Sequence, residues 1–416
     1  RPYIYKKIPM KKHGYTTRAL NTPFPKPDAH NALNFPVYDS VAFEFESAEA
    51  IADAFQDRRK AHTYSRVTNP TVEYFEEKIK HITEAHAVIA MSSGMAAITS
   101  VFMSLVQPGE NILSSPKLFA HTYGLFEQSL KNLGIECRFV DMLDENAIKE
   151  AIDDKTRIIF FETVTNPQLE IADINKIKEI TEEEGILLVT DSTITPLNVF
   201  QSKDLGVNIE VMSSTKFMSG GATSVGGIVI DNGITDWSKI PALKPFYEKY
   251  GVNAFLAKQR KEIFRTLGPT MSPQTASLQS LGLDIMDLRV ERAHKNCLEL
   301  AGYLQSSSKV RSVNYPGMVD SPYYELSHKQ FNGIPGTVLT FDLDSQEECF
   351  RLMNGLKIIR RATNLNDNKS LIIHPWSTIY AEYPVEMKKN MGLRDTMLRL
   401  SVGIEDIDDL IMDLGF

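Results

Sequence analysis

The feature that most constrains the fold of this chain is a regular alternation of short apolar runs with amphipathic stretches between about residues 87 and 229. Seven apolar runs are typical of buried strands: AVIAM, NILSS, ECRFVD, RIIFFET, GILLVTD, NIEVMSS and GIVID. Helix-like patterns such as AAITSVFMSLV and INKIKEITEEEG lie between them. Strands that alternate with helices predict an α/β fold, in which helices cover both faces of a mostly parallel sheet. Ligands in such folds bind at the carboxyl ends of the strands.

The pattern differs on either side of this region, which predicts three parts. Residues 1–60 contain several prolines and little long periodicity, so we expect an amino-terminal arm that packs on a neighbouring subunit. Residues 61–260 form the larger domain that carries the sheet. Residues 261–416 combine long helical patterns with strand candidates such as TVLTFDLDS, LKIIRRATN and RLSVGIE, and they predict a smaller α+β domain.

The composition excludes several classes of function. A net charge of −8 argues against nucleic acid or an anionic membrane as a partner. The three cysteines and nine histidines show neither disulfide nor metal-ligand spacing, so no metal site is predicted. The longest nearly uncharged segment, 85–109, is interrupted by SSG and closed by QPG, and no signal-peptide pattern stands at the amino end. We therefore expect a soluble, cytoplasmic protein.

One lysine has unusual surroundings, because Lys216 lies in the string SSTKFMSGGATSVGG between two apolar runs. An ammonium group is costly to bury, so a lysine held between buried strands tends to be a neutral nucleophile or to have a partner. The alternative interpretation is a surface lysine in a Ser/Gly turn, which is the commoner origin of such strings.

Three further strings follow predicted strands. In SSGMAAI a turn at Ser93 leads into a helix, whose free amides can bind an anion; the alternative is that Ser93 only caps the helix. Asp191 ends GILLVTD, where a carboxylate needs a partner, and an N-cap in an Asx turn is the alternative. Asn166-Pro167 in FETVTNPQ is by itself only a turn signal.

Together these strings predict one cofactor. An anion site, a lysine that forms an imine and an aspartate that faces a cationic ring nitrogen are what pyridoxal 5'-phosphate requires. Residues 61–260 would then be the cofactor-binding domain.

The motifs resemble those of the Cys/Met-metabolism family of pyridoxal-phosphate enzymes. The resemblance runs from about Tyr38 to the carboxyl terminus and rests on YSRVTNPT, SSGMAAI, the segment from Asp191 through STKFMSGG, and RLSVGIED. It implies the fold of type I pyridoxal-phosphate transferases.

The resemblance also implies a role for particular residues. Lys216 would form the imine and Asp191 would face the pyridine nitrogen. The phosphate would be held by backbone amides and hydroxyls of the turns and by two side chains of the neighbouring subunit; these residues are Ser93, Gly94, Met95, Ser213 and Thr215, with Tyr64 and Arg66 from the neighbour. Such sharing implies a homodimer of active sites, usually paired into a homotetramer.

Substrate recognition follows the same resemblance. Arg399 would hold the α-carboxylate, a task that suits a bidentate guanidinium, although without the family a strand-edge arginine is the commoner case. Asn166 and Asn364 would lie beside the substrate carboxylate or a cofactor hydroxyl.

The chain departs from the family where a tyrosine usually stacks on the cofactor. The matching string is Leu118-Phe119-Ala120, so Phe119 would stack without a hydroxyl and Lys216 would carry more of the proton transfer. Tyr123, one turn further along a predicted helix, is a second source of a hydroxyl. His121 stands where methionine γ-lyases tend to carry a cysteine, and Thr363-Asn364 replaces the Glu-Ser pair of many cystathionine enzymes.

These departures favour a direct sulfhydrylase, which converts O-acetyl-L-homoserine and sulfide, free or delivered by a carrier, to L-homocysteine and acetate for methionine biosynthesis. Lys216 would act as a base twice. The alternatives are a methionine γ-lyase, a cystathionine γ-synthase or γ-lyase type of activity, and, more remotely, a non-catalytic carrier of the cofactor.

Overall fold

The structure is a computed structural model of the chain and describes residues 13–415. Residues 1–12 of the predicted arm lie outside the described residues. The described strands form two sheets. The larger sheet contains β1 (Ala87–Met91), β2 (Asn111–Ser114), β3 (Glu136–Phe139), β4 (Thr156–Glu162), β5 (Leu187–Asp191), β6 (Ile209–Met212) and β7 (Gly227–Asp231). The smaller contains β8 (Ser312–Asn314), β9 (Val338–Asp342), β10 (Arg360–Arg361), β11 (Leu371–Ile373) and β12 (Met397–Ser401).

The α-helices surround these sheets. They are α1 (Tyr15–Leu20), α2 (Ala48–Phe55), α3 (Pro70–Thr83), α4 (Gly94–Leu105), α5 (Ala120–Gly124), α6 (Glu145–Ala151), α7 (Ile174–Glu184), α8 (Lys244–Tyr250), α9 (Ala254–Lys258), α10 (Arg265–Leu267), α11 (Pro273–Asp284), α12 (Met286–Ser306), α13 (Tyr324–Phe331), α14 (Gln346–Gly355), α15 (Val385–Asn390) and α16 (Ile407–Leu414). No helix within residues 13–415 is both long and apolar enough to cross a membrane.

The larger sheet has the order β1-β7-β6-β5-β4-β2-β3. The four pairings among β3, β2, β4, β5 and β6 are parallel, and β7 runs antiparallel to both of its neighbours. The predicted α/β class with a mostly parallel sheet is therefore confirmed. The carboxyl ends of β1, β4, β5 and β6 consequently meet at one edge.

The sheet is covered on both faces, as its apolar strands predict. Successive residues of a strand point to opposite faces, so Phe160 packs in the core that contains α4, whereas Phe161 packs with α7 on the other side. In the same way Val189 and Leu188 belong to opposite cores. Both faces are therefore covered by apolar side chains, and the polar side chains lie at the ends of the strands, where they can form a site.

Local capping explains where the main helices begin. Asn69 accepts a hydrogen bond from the Thr71 amide and Pro70 occupies the first turn of α3, as the string NPT predicts. Ser93 likewise caps α4. These caps fix the turns that precede both helices.

The smaller sheet has the order β10-β11-β12-β9-β8 and lies in the carboxyl-terminal part of the chain, as expected. Its central strand, β12, carries Arg399 with the side chain almost wholly buried. The domain boundaries themselves stay a prediction.

Three local features differ from the sequence expectations. The string LQSLGLDIMDLRVERAHKNCLELAGYLQSS, residues 278–307, has the pattern of one long helix, but the helix is broken at Ile285, whose φ of −115° and ψ of 10° separate α11 from α12. The short strands β8 and β11 were not predicted, because runs of three residues carry too little periodicity. Helix α1 lies in the segment expected to be an extended arm, and its Ala19 is fully buried against the core of its own chain.

Candidate active site

A cavity of about 400 Å³ lies at the edge where the carboxyl ends of the strands meet. Ten of the thirteen residues predicted from the sequence line it: Ser93, Gly94, Met95, Phe119, Asn166, Asp191, Ser213, Thr215, Lys216 and Arg399. Asn364 contacts Lys216 directly, while Tyr64 and Arg66 lie elsewhere. The strings that are far apart in the sequence therefore converge in space.

Lys216 is enclosed in this cavity. Its Nζ donates a hydrogen bond of 2.8 Å to Oδ1 of Asn364. The pKa of the amine is lowered from 10.5 to about 8, because burial and, next, the positive charge of Arg399 lower it while the carboxylates of Asp367 and Asp191 oppose the shift. A substantial fraction of the free amine is therefore neutral near pH 8, as a base or nucleophile must be.

Asp191 ends β5 with its carboxyl group buried in the same cavity. Its Oδ1 accepts the Thr193 amide at 2.8 Å, so the turn considered as the alternative is present together with the cavity position. Burial raises the pKa of this carboxyl to about 6, against the opposing hydrogen bonds of Thr193 and the charge of Lys216. The raised pKa shows that the ionised carboxyl group is unfavourable in this buried site. A cationic partner would therefore be stabilised beside it.

Glu162 is a cavity residue that the sequence reasoning missed. The parallel register places it directly beside Asp191. Its Oε1 accepts the Phe119 amide at 2.5 Å, and its Oε2 accepts the Asn166 amide at 3.2 Å. Burial, and next the charge of Asp191, raise the pKa of Glu162 well above its ordinary value. Glu162 thus fixes the backbone at two cavity residues. The string FFE, which ends a strand as VTD does, was the available signal.

The turn between β1 and α4 is held against the lysine segment. Ser93 Oγ accepts the Ala96 amide at 3.1 Å, so the capping interpretation is correct, and Ser93 also lines the cavity. A Cβ on Gly94 would lie 2.7 Å from Cβ of Ser213, and one on Gly227 would lie 2.0 Å from the Ser93 carbonyl oxygen. Only glycine fits at both positions. The first amides of α4 have no acceptor within the helix, and they lie beside Ser213 as an anion site requires.

Thr215 supports this site from the other side. Its Oγ1 donates to the Gly226 carbonyl at 3.2 Å and accepts the Gly226 amide at 3.0 Å. The hydroxyl therefore ties the two ends of the Lys216 loop together while lining the cavity.

Arg399 reaches the cavity from the smaller domain, with only 2% of the residue exposed. One terminal nitrogen donates to Oδ1 of Asn166 at 3.0 Å, and the other donates to the carbonyls of Thr363 and Asn364 at 3.2 Å each. Its Nε has no acceptor within residues 13–415. Asn166 and Asn364 thus orient the guanidinium, which lines the cavity as a cation for an anionic ligand.

Three aromatic residues lie near the position where the family usually has a tyrosine, and their placement shows which of them face the cavity. The Phe119 ring lines the cavity, and His121 meets it edge-on at 5.0 Å between ring centroids while also lining the cavity. The ring of Tyr123 instead stacks on Phe139 at 4.6 Å and does not line the cavity. Tyr123 is therefore not the substitute hydroxyl.

Tyr64 and Arg66 do not reach the cavity of their own chain. Tyr64 is 44% exposed, the Arg66 guanidinium lies over its ring at 5.4 Å, and Arg66 donates a hydrogen bond to the Arg265 carbonyl. The predicted contact with a neighbouring subunit's cofactor stays a prediction.

The residues present fit pyridoxal phosphate. The cavity contains an enclosed lysine, a buried acid whose one cationic neighbour among residues 13–415 is that lysine's amine, a tight turn shaped by Gly94 against Ser213, and the guanidinium of Arg399. These groups match respectively the aldehyde, the ring nitrogen, the phosphate and an amino-acid carboxylate.

The burial of Asp191 makes a prediction about pH in the cofactor-free protein. Its pKa lies at about 6 in the folded chain and near 3.8 when exposed, so ionisation costs folding stability as the pH rises between these values. Relative to wild type, Asp191→Asn is expected to be about 0.5 kcal/mol more stable near pH 4 and about 3 kcal/mol more stable at pH 8, both upper estimates. Urea unfolding of both proteins at the two pH values measures this, and equal stability at pH 8 contradicts it.

Known proteins that are similar to this chain are pyridoxal-phosphate enzymes, as the residues of the cavity indicate. The family model described as Cys/Met metabolism PLP-dependent enzyme matches residues 16–416. The O-acetyl-L-homoserine sulfhydrylase of Corynebacterium glutamicum is 34% identical over 418 residues, covering 96% of each chain.

Two solved structures extend the comparison. The O-acetylhomoserine sulfhydrylase of Wolinella succinogenes is 42% identical with a TM-score of 0.79, covering 97% of this chain and 99% of that one. A chain from Campylobacter jejuni that carries a pyridoxyl-lysine phosphate is 31% identical with a TM-score of 0.92, covering 97% of this chain and 99% of that one. The predicted fold and cofactor are thereby confirmed. The chain belongs to the Cys/Met-metabolism family of pyridoxal-phosphate-dependent enzymes.

Proposed function

We propose that this enzyme catalyses γ-replacement on O-acetyl-L-homoserine, using sulfide to form L-homocysteine and acetate. One observation carries the proposal: Lys216, Asp191 and Arg399 line one buried cavity in a chain similar over almost its whole length to O-acetylhomoserine sulfhydrylases. The same observation disfavours a non-catalytic carrier, which would need no guanidinium beside its lysine.

Bound pyridoxal phosphate supplies an electron sink for negative charge at the substrate α-carbon. Asp191 would keep a cationic ring nitrogen protonated by an opposite charge in a buried site. The amides of Gly94 and Met95, with the hydroxyls of Ser213 and Thr215, would hold the phosphate. Ser93 fixes the turn through its cap.

Lys216 would move the protons. Its free amine would take a proton from Cα and later one from Cβ, acetate would leave Cγ and hydrosulfide would add there, and the two protons would then be returned to Cβ and Cα to complete L-homocysteine. A pKa of about 8 leaves about half of the amines neutral at pH 8. Phe119 can pack against the cofactor ring but has no proton to give, so the burden falls on Lys216.

Arg399 would bind the substrate α-carboxylate. Its terminal nitrogens are already oriented by Asn166 and by the Asn364 carbonyl, so little freedom is lost when the carboxylate arrives. Fixing this end of the substrate also fixes the direction of the Cα–H bond toward Lys216.

The assembly belongs to the same proposal. Because Tyr64 and Arg66 stand away from the cavity of their own chain, we infer that a second copy supplies them to the phosphate, in a homodimer that pairs into a homotetramer. A cytoplasmic location is proposed because Cys137, Cys297 and Cys349 are all free thiols.

The test is product identification with purified enzyme and O-acetyl-L-homoserine, with and without sulfide. Homocysteine as the dominant product with sulfide is expected. If 2-ketobutyrate dominates at saturating sulfide, the enzyme is a γ-lyase. If cysteine replaces sulfide efficiently and gives cystathionine, it is a cystathionine synthase. The Lys216→Ala protein is the blank for reactions of the free cofactor.

A further inference from the structure

A chain of two hydrogen bonds leads from Lys216 to a carboxylate outside the cavity lining. Lys216 Nζ donates to Oδ1 of Asn364 at 2.8 Å, and Nδ2 of Asn364 donates to Oδ2 of Asp367 at 3.0 Å. Asp367 is 7% exposed, and its Oδ1 accepts the Lys369 amide at 3.1 Å. Each oxygen of this carboxylate therefore has a separate partner.

The carboxylate decides which way the Asn364 amide faces. A side-chain amide can present either its oxygen or its NH2 group to a neighbour, and only the surrounding bonds distinguish the two. An ionised carboxylate only accepts, so the NH2 group of Asn364 must face Asp367. The oxygen must then face the amine of Lys216.

The segment that carries both residues is anchored on the site side. Asn366 Nδ2 donates to the carbonyls of Thr193 and Ile194 at 3.1 Å each, and its amide donates to Ser401 Oγ at 2.7 Å. Asn368 donates to the Gly220 carbonyl, in the loop that follows the lysine. These bonds therefore tie the segment to the strand ends and to the loop around Lys216.

We propose that Asp367 is a positioning residue for Lys216, which acts by locking the Asn364 amide so that its oxygen accepts from the free lysine amine. The contact belongs to the amine that is not bonded to cofactor, the form in which the lysine acts as a base. Asp367 thus holds that amine at the cavity wall whenever it is released.

Electrostatics gives this arrangement a measurable consequence. The charged groups that act on Lys216 are Arg399 from β12, Asp191 from β5 and Asp367, and the two carboxylates favour the ammonium form while Arg399 disfavours it. Removing the Asp367 charge also frees the Asn364 amide to turn its NH2 group toward the lysine. Both changes lower the pKa of the amine and make it more reactive at neutral pH.

The test measures the amine itself in the full-length, cofactor-free protein. Lys216 is labelled with 2,4-dinitrofluorobenzene over a range of pH, and the modified peptide is quantified by mass spectrometry. Asp367→Asn is expected to react roughly fivefold faster at pH 7, with a pH profile displaced to lower values. The variant keeps an oxygen for the Lys369 amide, so the turn is retained.

A second variant separates the relay from a simple field effect. Asn364→Leu removes the acceptor, and Asp367→Asn added to it is expected to change the rate clearly less than the roughly fivefold effect that it has alone, because only the direct effect of the Asp367 charge then remains. Full additivity of the two effects, or an unchanged rate in Asp367→Asn, overturns the proposal.

The matched control is Asp231→Asn. Asp231 is also buried and accepts the amide two residues on, from Gly233 at 2.9 Å, but it lies at the opposite edge of the sheet. It should leave the Lys216 profile unchanged, and circular dichroism checks that each variant is folded. The proposal rests on the assignment of Lys216 under the proposed function, but the labelling can succeed or fail whatever the enzyme turns over.

Discussion

Replacing Lys216 by alanine is expected to reduce homocysteine formation by at least about a thousandfold, because each proton transfer by a positioned base contributes about 10²- to 10⁴-fold. The lysine is the only cavity residue whose burial leaves a neutral amine near pH 8 among the residues that the structure describes. Steady-state rates at saturating O-acetylhomoserine and sulfide measure the loss.

The matched control is Lys258→Ala. Burial also lowers the pKa of Lys258, but it donates to the Ala242 carbonyl and does not line the cavity. Its removal should leave the rate within about threefold. Residual activity of Lys216→Ala above about one tenth of wild type would show that another group moves the protons.

Replacing Arg399 by alanine is expected to lower kcat/KM for O-acetylhomoserine by about 10²- to 10⁴-fold, because two charge-assisted hydrogen bonds of about 1.5–3 kcal/mol each are lost. The effect should fall mainly on the KM for O-acetylhomoserine, and the KM for sulfide should change little. A sulfide KM that rises in parallel would place the residue elsewhere in the reaction.

The Arg399→Lys variant separates the effect of the positive charge from that of the guanidinium geometry. Lysine keeps the charge but cannot bridge Asn166 and the Asn364 carbonyl while also presenting a planar pair of donors. Its kcat/KM should lie between those of wild type and Arg399→Ala. Since the alanine variant leaves buried acceptors unpaired, thermal unfolding must accompany its kinetics.

The sequence predicted the parts of the site that are encoded in single strings. Asp191 ends an apolar run and Lys216 follows another, both typical of buried strands, and the register of the sheet then brings the two residues together. The turn at Ser93 carries its own capping and glycine signals. These features depend on residues close in the sequence, so local pattern suffices to find them.

Features that depend on contacts between distant segments do not show in local pattern, and Arg399 was assigned to the site only through the resemblance to the family. Glu162 matters because its strand pairs in register with that of Asp191, and nothing in FETVTNPQ shows this pairing. The relay through Asp367 needs a segment of the smaller domain to approach the lysine. The helical spacing of Tyr123 suggested that it faces the cavity, but its ring packs on Phe139. Phe139 belongs to β3, and the pattern around Tyr123 does not show that this strand lies nearby.

The central claim is that Lys216 carries the cofactor. Reduction of the holoenzyme with borohydride, followed by peptide mapping with mass spectrometry, tests it directly. A phosphopyridoxyl group on the peptide that contains Lys216, and on no other lysine, is the predicted result. Attachment at a different lysine, or recovery of the Lys216 peptide without the label, would contradict the account.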